Sequence, residues 1–303
     1  MRLSSCGPLE VAMIGLGTVE SIPVYHYSPG GLAVRLRLPS YAYDIFDCPP
    51  EEHDICIFSR EGLLEPEPLE PDRLARVVLG MRPDIVLVET PRLLGSEGCL
   101  LEALRGGVAV GLRVLASEAS PALDLEPDLI VADYPLDYLV DPGLSTDMVL
   151  GIRRLARSGV PLEVNVYVER ADPARLAPVA EALAGTSSAL HVHVKLHEGG
   201  GPIRKAYELL RRRVKHVYIH NNPYSYEDTL CPSCGATVAI RRGGVLERLE
   251  APGGRCWKCA SIIPFYGRIK ERTPRPVIVA TGGQRWLHPR LVVARRSSSP
   301  SRT

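Results

Sequence analysis

The stretch Asp72-Arg-Leu-Ala-Arg-Val-Val-Leu79 is followed by Asp84-Ile-Val-Leu-Val88, and this succession of patterns decides the fold. The first segment has the apolar spacing of a helix, with Asp72 as its expected N-cap. The second is a continuous apolar run of strand length, which is typical of a strand buried on both faces. Together they predict a helix that leads into one strand of a parallel sheet.

The same alternation continues along most of the chain. Further strand-length apolar runs lie at 32–38, 55–58, 107–111, 128–132, 162–168, 190–196 and 214–219. Segments with helical spacing lie at 100–104, 146–157, 174–183 and 203–213. Repeats of about 25–30 residues indicate βαβ units. Seven or eight strands in ~190 residues favour a partial or complete TIM-type parallel β/α barrel, and an open doubly wound sheet is the alternative.

Composition and length set the broad class of the protein. The chain has 303 residues, of which 45% are hydrophobic and 23% charged, so a large core is expected and global disorder is excluded. No apolar run approaches the ~18–20 residues of a membrane span, and the first residues lack the apolar region of a signal peptide. We therefore expect a cytoplasmic protein with no membrane partner.

The near-neutral net charge of +1 hides a strong asymmetry. Residues 203–303 contain 20 Lys and Arg against 6 Asp and Glu, whereas residues 1–202 contain 16 against 29. Two surfaces of opposite sign are expected, and the basic one belongs to the C-terminal third.

Two pairs of cysteines give the strongest local signal. Cys231-Pro-Ser-Cys234 and Cys256-Trp-Lys-Cys259 form two CxxC turns separated by 21 residues. Two such turns can close a tetrahedron of thiolates around Zn²⁺, and a closed Cys₄ site is structural rather than catalytic. Two disulfides, or cysteines that are unrelated in space, are the alternatives.

The remaining cysteines, Cys6, Cys48, Cys56 and Cys99, are scattered, and we expect them to be reduced thiols. The patterns divide the chain into four parts. We expect an N-terminal segment at 1–30, a β/α barrel at 31–222, a zinc ribbon at 223–268, and a C-terminal extension at 269–303 that ends in a polar, disordered tail.

Two stretches outside the cysteine pairs carry a resemblance to a known family. Pro23-Val-Tyr-His-Tyr-Ser-Pro-Gly30 resembles the P-L-Y-H-F-x-P-G stretch of radical SAM proteins similar to pyruvate formate-lyase-activating enzyme, in the AmmeMemoRadiSam branch. Val214-Lys-His-Val-Tyr-Ile-His-Asn-Asn222 resembles the L-K-Y-V-Y-V-G-N stretch that closes the barrel in that family. The cysteine pairs then stand where the family has its ribbon. The resemblance implies a TIM-type barrel, a [4Fe–4S] cluster and SAM.

The chain departs from that family at its cluster motif. The family's CxxxCxxC supplies three thiolates to the cluster, and the fourth iron binds SAM. The equivalent stretch here is Tyr41-Ala-Tyr-Asp-Ile45-Phe-Asp-Cys48, in which Cys48 alone is a cysteine. Tyr41 and Ile45 cannot replace thiolates, and Cys56 does not restore the spacing. A [4Fe–4S] cluster and SAM are therefore not expected as cofactors.

Two further family positions are altered. Val86-Leu-Val-Glu89-Thr-Pro91 resembles the family's T-x-N-E-P-type stretch, which makes Glu89 a cofactor-binding candidate. Asp133-Tyr-Pro135 corresponds to a D-x-K triad whose lysine is missing, so Asp133 is a second candidate.

Alternating polar residues on two predicted strands suggest a pocket inside the barrel. His193 alternates with His191 and Lys195 on one strand, and Asn165 alternates with Tyr167 on the strand before it. In a barrel these residues, with Glu163 and Asp133, would line the lumen and could bind a small ligand or a metal. Hydrogen-bonded packing without a ligand is the alternative for each of them.

The basic C-terminal third also allows nucleic-acid binding. Its basic residues include Arg211, Arg212, Arg213, Lys215, Arg241, Arg242, Arg248, Arg255, Lys258, Arg268, Lys270 and Arg272, and its aromatic residues include Trp257, Phe265 and Tyr266. Such residues can contact phosphates and stack on bases, although solvated charges and a small ribbon core explain them equally well.

Three functions follow from these patterns. The first is a zinc-containing binding or accessory protein with a degenerate radical SAM-like barrel, whose partner is a protein or a small ligand. The second is an enzyme that uses a radical SAM-type cluster with non-standard ligands or another chemistry of the barrel. The third is a nucleic-acid-associated ribbon protein.

Overall fold

The computed structural model describes residues 6–22, 24–39, 66–90, 92–93, 95–139, 142–184, 190–196, 200–220, 226–242, 245–272 and 284–287. The predicted strand at 55–58 and the cluster-motif stretch with Cys48 and Cys56 lie outside these residues.

Strands and helices alternate over most of the described chain, as the sequence predicts. In chain order they are β1 (Leu9–Val11), β2 (Met13–Thr18), β3 (Leu32–Arg37), β4 (Glu67–Leu69), α1 (Pro71–Leu79), β5 (Ile85–Glu89), α2 (Glu97–Leu104), β6 (Ala109–Leu115), α3 (Ala119–Asp124), β7 (Leu129–Tyr134), α4 (Pro142–Ser158), β8 (Leu162–Val168), α5 (Pro173–Ala182), β9 (Leu190–Leu196), α6 (Ile203–Arg211), β10 (His216–His220), β11 (Thr229–Leu230), β12 (Thr237–Arg242), β13 (Val245–Leu249) and β14 (Gln284–Leu287).

A nine-stranded sheet forms the centre of the fold. Its order is β10-β9-β8-β7-β6-β5-β3-β2-β14. All neighbours from β3 to β10 are parallel, whereas β2 is antiparallel to β3 and β14 is antiparallel to β2. The predicted mixed α/β fold with a mostly parallel sheet is therefore confirmed.

All six helices of the described residues pack on one face of this sheet. Their buried residues, such as Leu74 of α1 and Leu210 of α6, join one apolar core with Val86, Val164 and Val192 of the strands. A doubly wound sheet places helices on both faces. The one-sided arrangement therefore disagrees with the doubly wound alternative.

The sheet is open in the part of the chain that the structure describes. Its two edges are β10 and β14, so the predicted closure into a barrel is not found there. The reason is visible at β2, where one edge pairs with β3 and the other pairs with β14, from Gln284↔Gly17 to Leu287↔Ile14. No edge of β2 is left for pairing with β10.

A second, smaller apolar cluster covers part of the sheet face that lies opposite the helices. Val19, Ile22, Val24 and Tyr27 pack there on a strand layer that includes Ile85. The segment between β2 and β3 therefore lies across the face that carries no helix. Polar residues occupy the rest of this face, as described below.

The expectation that all scattered cysteines are reduced is wrong for one pair. Cys6 and Cys99 form a disulfide with an S–S distance of 2.11 Å. β1 pairs with β4, which immediately precedes α1, and α1 packs against α2. This packing brings Cys6, just before β1, to Cys99 in α2.

No helix within the described ranges is both long and apolar enough to cross a membrane.

Candidate metal centre and polar sheet face

The sheet face opposite the helices carries polar side chains that the strand register brings together. Arg37, Glu89 and Arg113 are aligned on β3, β5 and β6, and the same face continues across β7 to β10. We call the following residues the polar face: Arg35, Arg37, Glu89, Arg113, Asp133, Glu163, Asn165, Tyr167, His191, His193, His216, Tyr218 and His220. All of them are buried. Buried polar groups require partners, and most of these have them.

Three arginines surround Glu89. Arg35 Nε lies 2.5 Å from Oε1, Arg37 Nε lies 3.0 Å from Oε2, and Arg113 Nη1 lies 3.6 Å from Oε1. Burial raises the pKa of Glu89, but the three guanidinium groups outweigh it and the pKa is lowered overall. Glu89 is therefore an ionised carboxylate that the protein's own cations neutralise.

Arg113 connects Glu89 to Asp133. Its Nε donates to Asp133 Oδ2 over 2.7 Å, while Asn165 Nδ2 and Tyr167 Oη donate to Oδ1 over 2.7 and 3.1 Å. Burial raises the pKa of Asp133, and these contacts oppose that rise. Three of the predicted candidates, Glu89, Asp133 and Asn165, thus belong to one hydrogen-bonded network. The sequence did not predict the arginines that hold it together.

His193, the fourth candidate, lies in a separate chain of hydrogen bonds. Its Nε2 is 2.7 Å from Glu163 Oε2, and its Nδ1 is 3.0 Å from His220 Nε2. His220 Nδ1 in turn lies 3.4 Å from Glu227 Oε1. Both ring nitrogens of His193 thus have partners within the protein, as the alternative of hydrogen-bonded packing predicts.

The segment that carries the family-like Pro23–Gly30 stretch reaches this second chain. The backbone N–H groups of Tyr25 and His26 both donate to Glu163 Oε1 over 3.0 Å. Burial raises the pKa of Glu163, and these two N–H groups oppose the rise. The family resemblance singled out this stretch, but the sequence did not predict its contact with Glu163 of β8.

The four paired cysteines form the candidate metal centre. All four Sγ atoms lie within 4.8 Å of one another. Cys231 and Cys259 have an Sγ–Sγ distance of 3.6 Å, and Cys234 and Cys256 one of 3.7 Å. The four thiols are free, so the alternative of two disulfides disagrees with the structure.

The sulfur geometry suits a tetrahedral metal ion. Four sulfurs at Zn–S distances of about 2.3 Å form a tetrahedron with edges of about 3.8 Å. The Sγ–Sγ distances of 3.6 and 3.7 Å agree with that edge. A backbone hydrogen bond closes each CxxC turn, since Gly235 N donates to Cys231 O and Ala260 N donates to Cys256 O. The predicted grouping of the four cysteines is confirmed, and they could hold a metal ion such as zinc.

The cysteine-rich module is tied to the segment between β2 and β3. Tyr266 N donates to His26 O, Ser28 N donates to Tyr266 O, and both distances are 2.8 Å. Lys270 Nζ lies 2.5 Å from Asp84 Oδ2 at the start of β5. Metal binding by the cysteines would therefore stabilise one end of the large sheet as well as the module itself.

Arg241 reinforces this connection from β12. The side chain is buried, with its Nη2 donating to Tyr25 O over 2.8 Å and its Nη1 to Thr229 Oγ1 over 2.7 Å. Its guanidinium carbon lies 4.2 Å from the centre of the Tyr25 ring. This residue was grouped with the basic surface in the sequence, yet it serves as an internal contact.

Other basic residues of the C-terminal third have acidic partners. Arg213 pairs with Glu181, Arg242 with Asp228, and Arg248 with Glu250. Of the three aromatic candidates, Phe265 packs on the cysteine cluster and Tyr266 packs against the segment at 19–27. Trp257 remains 57% exposed.

Cys48, the one cysteine of the cluster-motif stretch and a cofactor-binding candidate, lies outside the described residues, so its role stays a prediction. No protein-family model matches this chain, and no curated protein matches it.

Proposed function

We propose that this protein is a zinc-containing binding or accessory protein whose sheet is a degenerate, partial barrel of the radical SAM type. One observation carries the proposal: Glu89 and Asp133, which the resemblance assigns to cofactor binding, are both bonded to buried arginines of the chain itself. A side chain with this role in packing is not free to orient a cofactor.

The energetic cost of freeing these carboxylates supports the same conclusion. Removing one partner of a buried ion pair typically costs about 3–5 kcal/mol, because the other charge stays buried without compensation. A cofactor that competed for Glu89 would have to displace Arg35 and Arg37 at a cost of this order. The cluster motif also speaks against a [4Fe–4S] cluster, because its single cysteine, Cys48, supplies at most one of the three thiolates required.

Zinc is the proposed ion of the Cys231, Cys234, Cys256 and Cys259 site. Soft thiolate ligands in a tetrahedron favour Zn²⁺, and four protein ligands leave no open position for substrate. The role of the ion is to hold the module on the sheet.

The proposed partner is a protein or a small ligand that binds at the carboxyl ends of the parallel strands. Ligands of parallel β/α folds bind at that edge. Tyr167 and Lys195 lie there on neighbouring strands, in register with each other.

The binding of SAM tests the proposal against the enzyme alternative. Full-length protein is first reconstituted anaerobically with iron and sulfide and then titrated with SAM in a calorimeter, and no saturable heat is expected. A one-to-one isotherm that disappears in Glu89→Gln, but persists in the matched control Glu247→Gln on the exposed side of β13, would contradict the proposal.

Nucleic-acid binding is a second candidate, and exposed Trp257 is the observation that favours it. The neighbouring Lys258 is also exposed, so a stacking ring and a cation share one turn. Fluorescence anisotropy with a labelled single-stranded oligonucleotide provides the test. This candidate requires an affinity that falls steeply with salt and is lost in Trp257→Ala. Salt-independent anisotropy, equal in Trp257→Ala, eliminates it.

A further inference from the structure

Three histidines form a second cluster of metal-ligating side chains, separate from the four cysteines. His26 belongs to the segment between β2 and β3, His191 is the second residue of β9, and His216 begins β10. All three are at most 2% exposed, and each offers a ring nitrogen within 4.8 Å of the others. More than 160 residues of sequence separate His26 from the other two.

In two of these histidines, ring nitrogens lack a hydrogen-bond partner in good geometry among the described residues, although a backbone contact with Leu162 favours a proton on His191. These atoms are Nδ1 and Nε2 of His191 and Nε2 of His216. Glu163 Oε2 lies 3.7 Å from His191 Nδ1, which is too long for a hydrogen bond. A buried polar atom without a partner is destabilising, so several in one cluster require an explanation. A neutral imidazole has one lone pair, so a metal ion would satisfy one nitrogen of each ring, and the remaining N–H of His191 is left to its backbone contact with Leu162.

The surroundings keep the rings in the form that binds metals. Burial lowers the pKa of His191 and that of His216 to about 3, so both are neutral at pH 7 and each retains a lone pair. His26 Nδ1 lies 3.1 Å from the carbonyl oxygen of Pro264, which can only accept a hydrogen bond. The proton of His26 is thereby fixed on Nδ1, and Nε2 carries the lone pair. Histidine ligands of metals are commonly oriented by such a carbonyl.

His26 Nε2 has one competing contact. It lies 2.5 Å from the hydroxyl of Tyr218, which also lies 2.9 Å from Thr229 Oγ1. If a metal ion took the lone pair of His26, the Tyr218 hydroxyl could still donate to Thr229. The exchange costs one hydrogen bond, because the Thr229 hydroxyl, which also accepts from Arg241 Nη1, then no longer donates to Tyr218.

We propose that His26, His191 and His216 form a second metal site that binds Zn²⁺ or a similar divalent transition ion. Imidazole ligands suit these ions, and three protein ligands leave one coordination position open. The buried carboxyl group of Glu163, beside His191, would balance part of the positive charge. The inference does not depend on the proposed accessory function or on the family resemblance.

The rings must move slightly to bind one ion. His26 and His191 are stacked, with ring centres 3.6 Å apart and an angle of 14° between the rings. Three nitrogens at about 2.0–2.1 Å from a tetrahedral ion are about 3.4 Å apart. The two stacked rings must therefore fan open so that both lone pairs point at one ion, a change that side-chain rotation supplies.

Zinc counting on the full-length protein tests the proposal. The protein is equilibrated with excess Zn²⁺, passed through a gel-filtration column and analysed for zinc per chain. We expect two zinc ions in the wild type, one in His216→Gln, one in Cys234→Ser and none in the double variant. The matched control is His220→Gln, a buried histidine on the same strand as His216, and it should keep two.

Cobalt titration of the wild-type protein gives an answer that does not require a folded variant. Thiolate-to-cobalt charge-transfer absorption reports only the cysteine site, whereas the visible ligand-field absorption reports both sites. We expect the charge-transfer band to saturate at one equivalent while the visible absorption rises to two. Saturation of both at one equivalent, or two zinc ions retained in folded His216→Gln, would overturn the second site.

Discussion

Glu89 is a single carboxylate on which the packing of three strands depends. Its two oxygens contact Arg35 and Arg37 of β3, and Arg113 of the neighbouring strand β6 lies close to one of them. The side chain is 4% exposed, so solvent contributes little to the neutralisation of either charge. Such a pair adds little net stability over an apolar one but is costly to break.

We expect Glu89→Gln to lower the free energy of unfolding by about 3–5 kcal/mol, because Arg35 and Arg37 then lose the Glu89 carboxylate, whereas Arg113 keeps that of Asp133. Denaturant unfolding followed by circular dichroism measures the loss. Glu247→Gln is the control, because exposed substitutions usually stay within about 0.5 kcal/mol. A loss in Glu89→Gln no larger than in the control would show that the network does not hold the sheet.

The pH dependence of the Glu89 effect has a definite sign. Its pKa in the folded protein is below the ordinary value of 4.5, so its ionised form stabilises the fold above that value. This contribution is lost as the pH falls through the lowered pKa. The stability difference between the wild type and Glu89→Gln should therefore shrink below about pH 4, as denaturant curves at several pH values can show.

His220 should make the protein less stable in mild acid. Burial lowers its pKa well below 6.5, with further lowering from Lys195. The charged and titratable groups that face it are Tyr25, His193, Lys195, Glu227 and Arg241. Below pH 6.5 the unfolded chain binds a proton that the folded protein does not bind. The stabilising effect of neutral His220 is therefore present above pH 6.5 and is lost as the pH falls.

A buried histidine that stays neutral in the folded protein lowers the free energy of unfolding by about 1.4 kcal/mol for each pH unit below 6.5. Between pH 7.5 and 5.5, the wild type should lose more stability than His220→Gln, by up to about 1.4 kcal/mol, measured by denaturant unfolding at both pH values. Equal losses in the two proteins would mean that His220 is already protonated in the fold or titrates normally.

Cys234 tests the thiolate centre at the level of one residue. Cys234→Ser should release the zinc ion and loosen residues 228–267 while the large sheet stays folded, because metal binding and folding are coupled in such modules. Zinc analysis and hydrogen exchange measure the two effects. Cys48→Ser is the matched control and should retain zinc. Full zinc retention in Cys234→Ser would refute the assignment of this ligand.

The sequence predicted local sites better than distant ones. The four cysteines were found because each CxxC turn is local and its spacing carries the geometry. The arginines around Glu89 and the histidine cluster could not be found in that way, since residues as distant as His26 and His191 meet only through the sheet. His193 and Asn165 were selected by strand alternation, which gives the face of a residue but not its partners.

At the scale of secondary-structure elements, local pattern and local chemistry account for most of the outcome. The predicted helix at 72–79 is α1, but it begins at Pro71 and Glu70 is its N-cap without a side-chain hydrogen bond, so the expected Asp72 cap is wrong. Proline suits the first helical turn because it has no N–H to leave unpaired. β2 was not predicted as a strand, because Gly15 and Gly17 interrupt its apolar pattern.

The segment between β2 and β3 depends on a glycine at its end. Gly30 has a φ of +74°, its N–H donates to Glu20 Oε1 over 2.7 Å, and an added Cβ would lie 3.1 Å from atoms of Lys270 and Arg272. Any larger residue there is strained both by its backbone and by the chain that follows the cysteine-rich module.

We expect Gly30→Ala to destabilise the protein by about 1–3 kcal/mol and to loosen the contact between this segment and residues 264–270. Gly106→Ala is the matched control, with a φ of +80° but nothing within 4 Å of the added Cβ. It should cost only the backbone strain, about 1 kcal/mol. Thermal or denaturant unfolding measures both. Equal losses would show that the contact with residues 270–272 adds nothing.

At the scale of the whole molecule, one face of the sheet packs in the apolar core and the other carries the buried polar side chains. Helices cover the first face, and the second is covered by the segment at 19–31 and by the cysteine-rich module that is hydrogen-bonded to it. The repeating sequence pattern predicted the parallel strands and the crossover helices. It did not predict that β14 would take the free edge of β2, because that pairing joins residues more than 260 positions apart.

Anaerobic reconstitution with iron and sulfide, followed by incubation with SAM and a reductant, tests the central claim most directly. Acid-labile sulfide and 5′-deoxyadenosine are measured together, so that iron bound elsewhere is not mistaken for a cluster. The account predicts zinc in the protein, no stoichiometric sulfide and no 5′-deoxyadenosine above the level without protein. Four sulfides per chain with SAM cleavage would contradict the accessory function and establish a radical SAM enzyme.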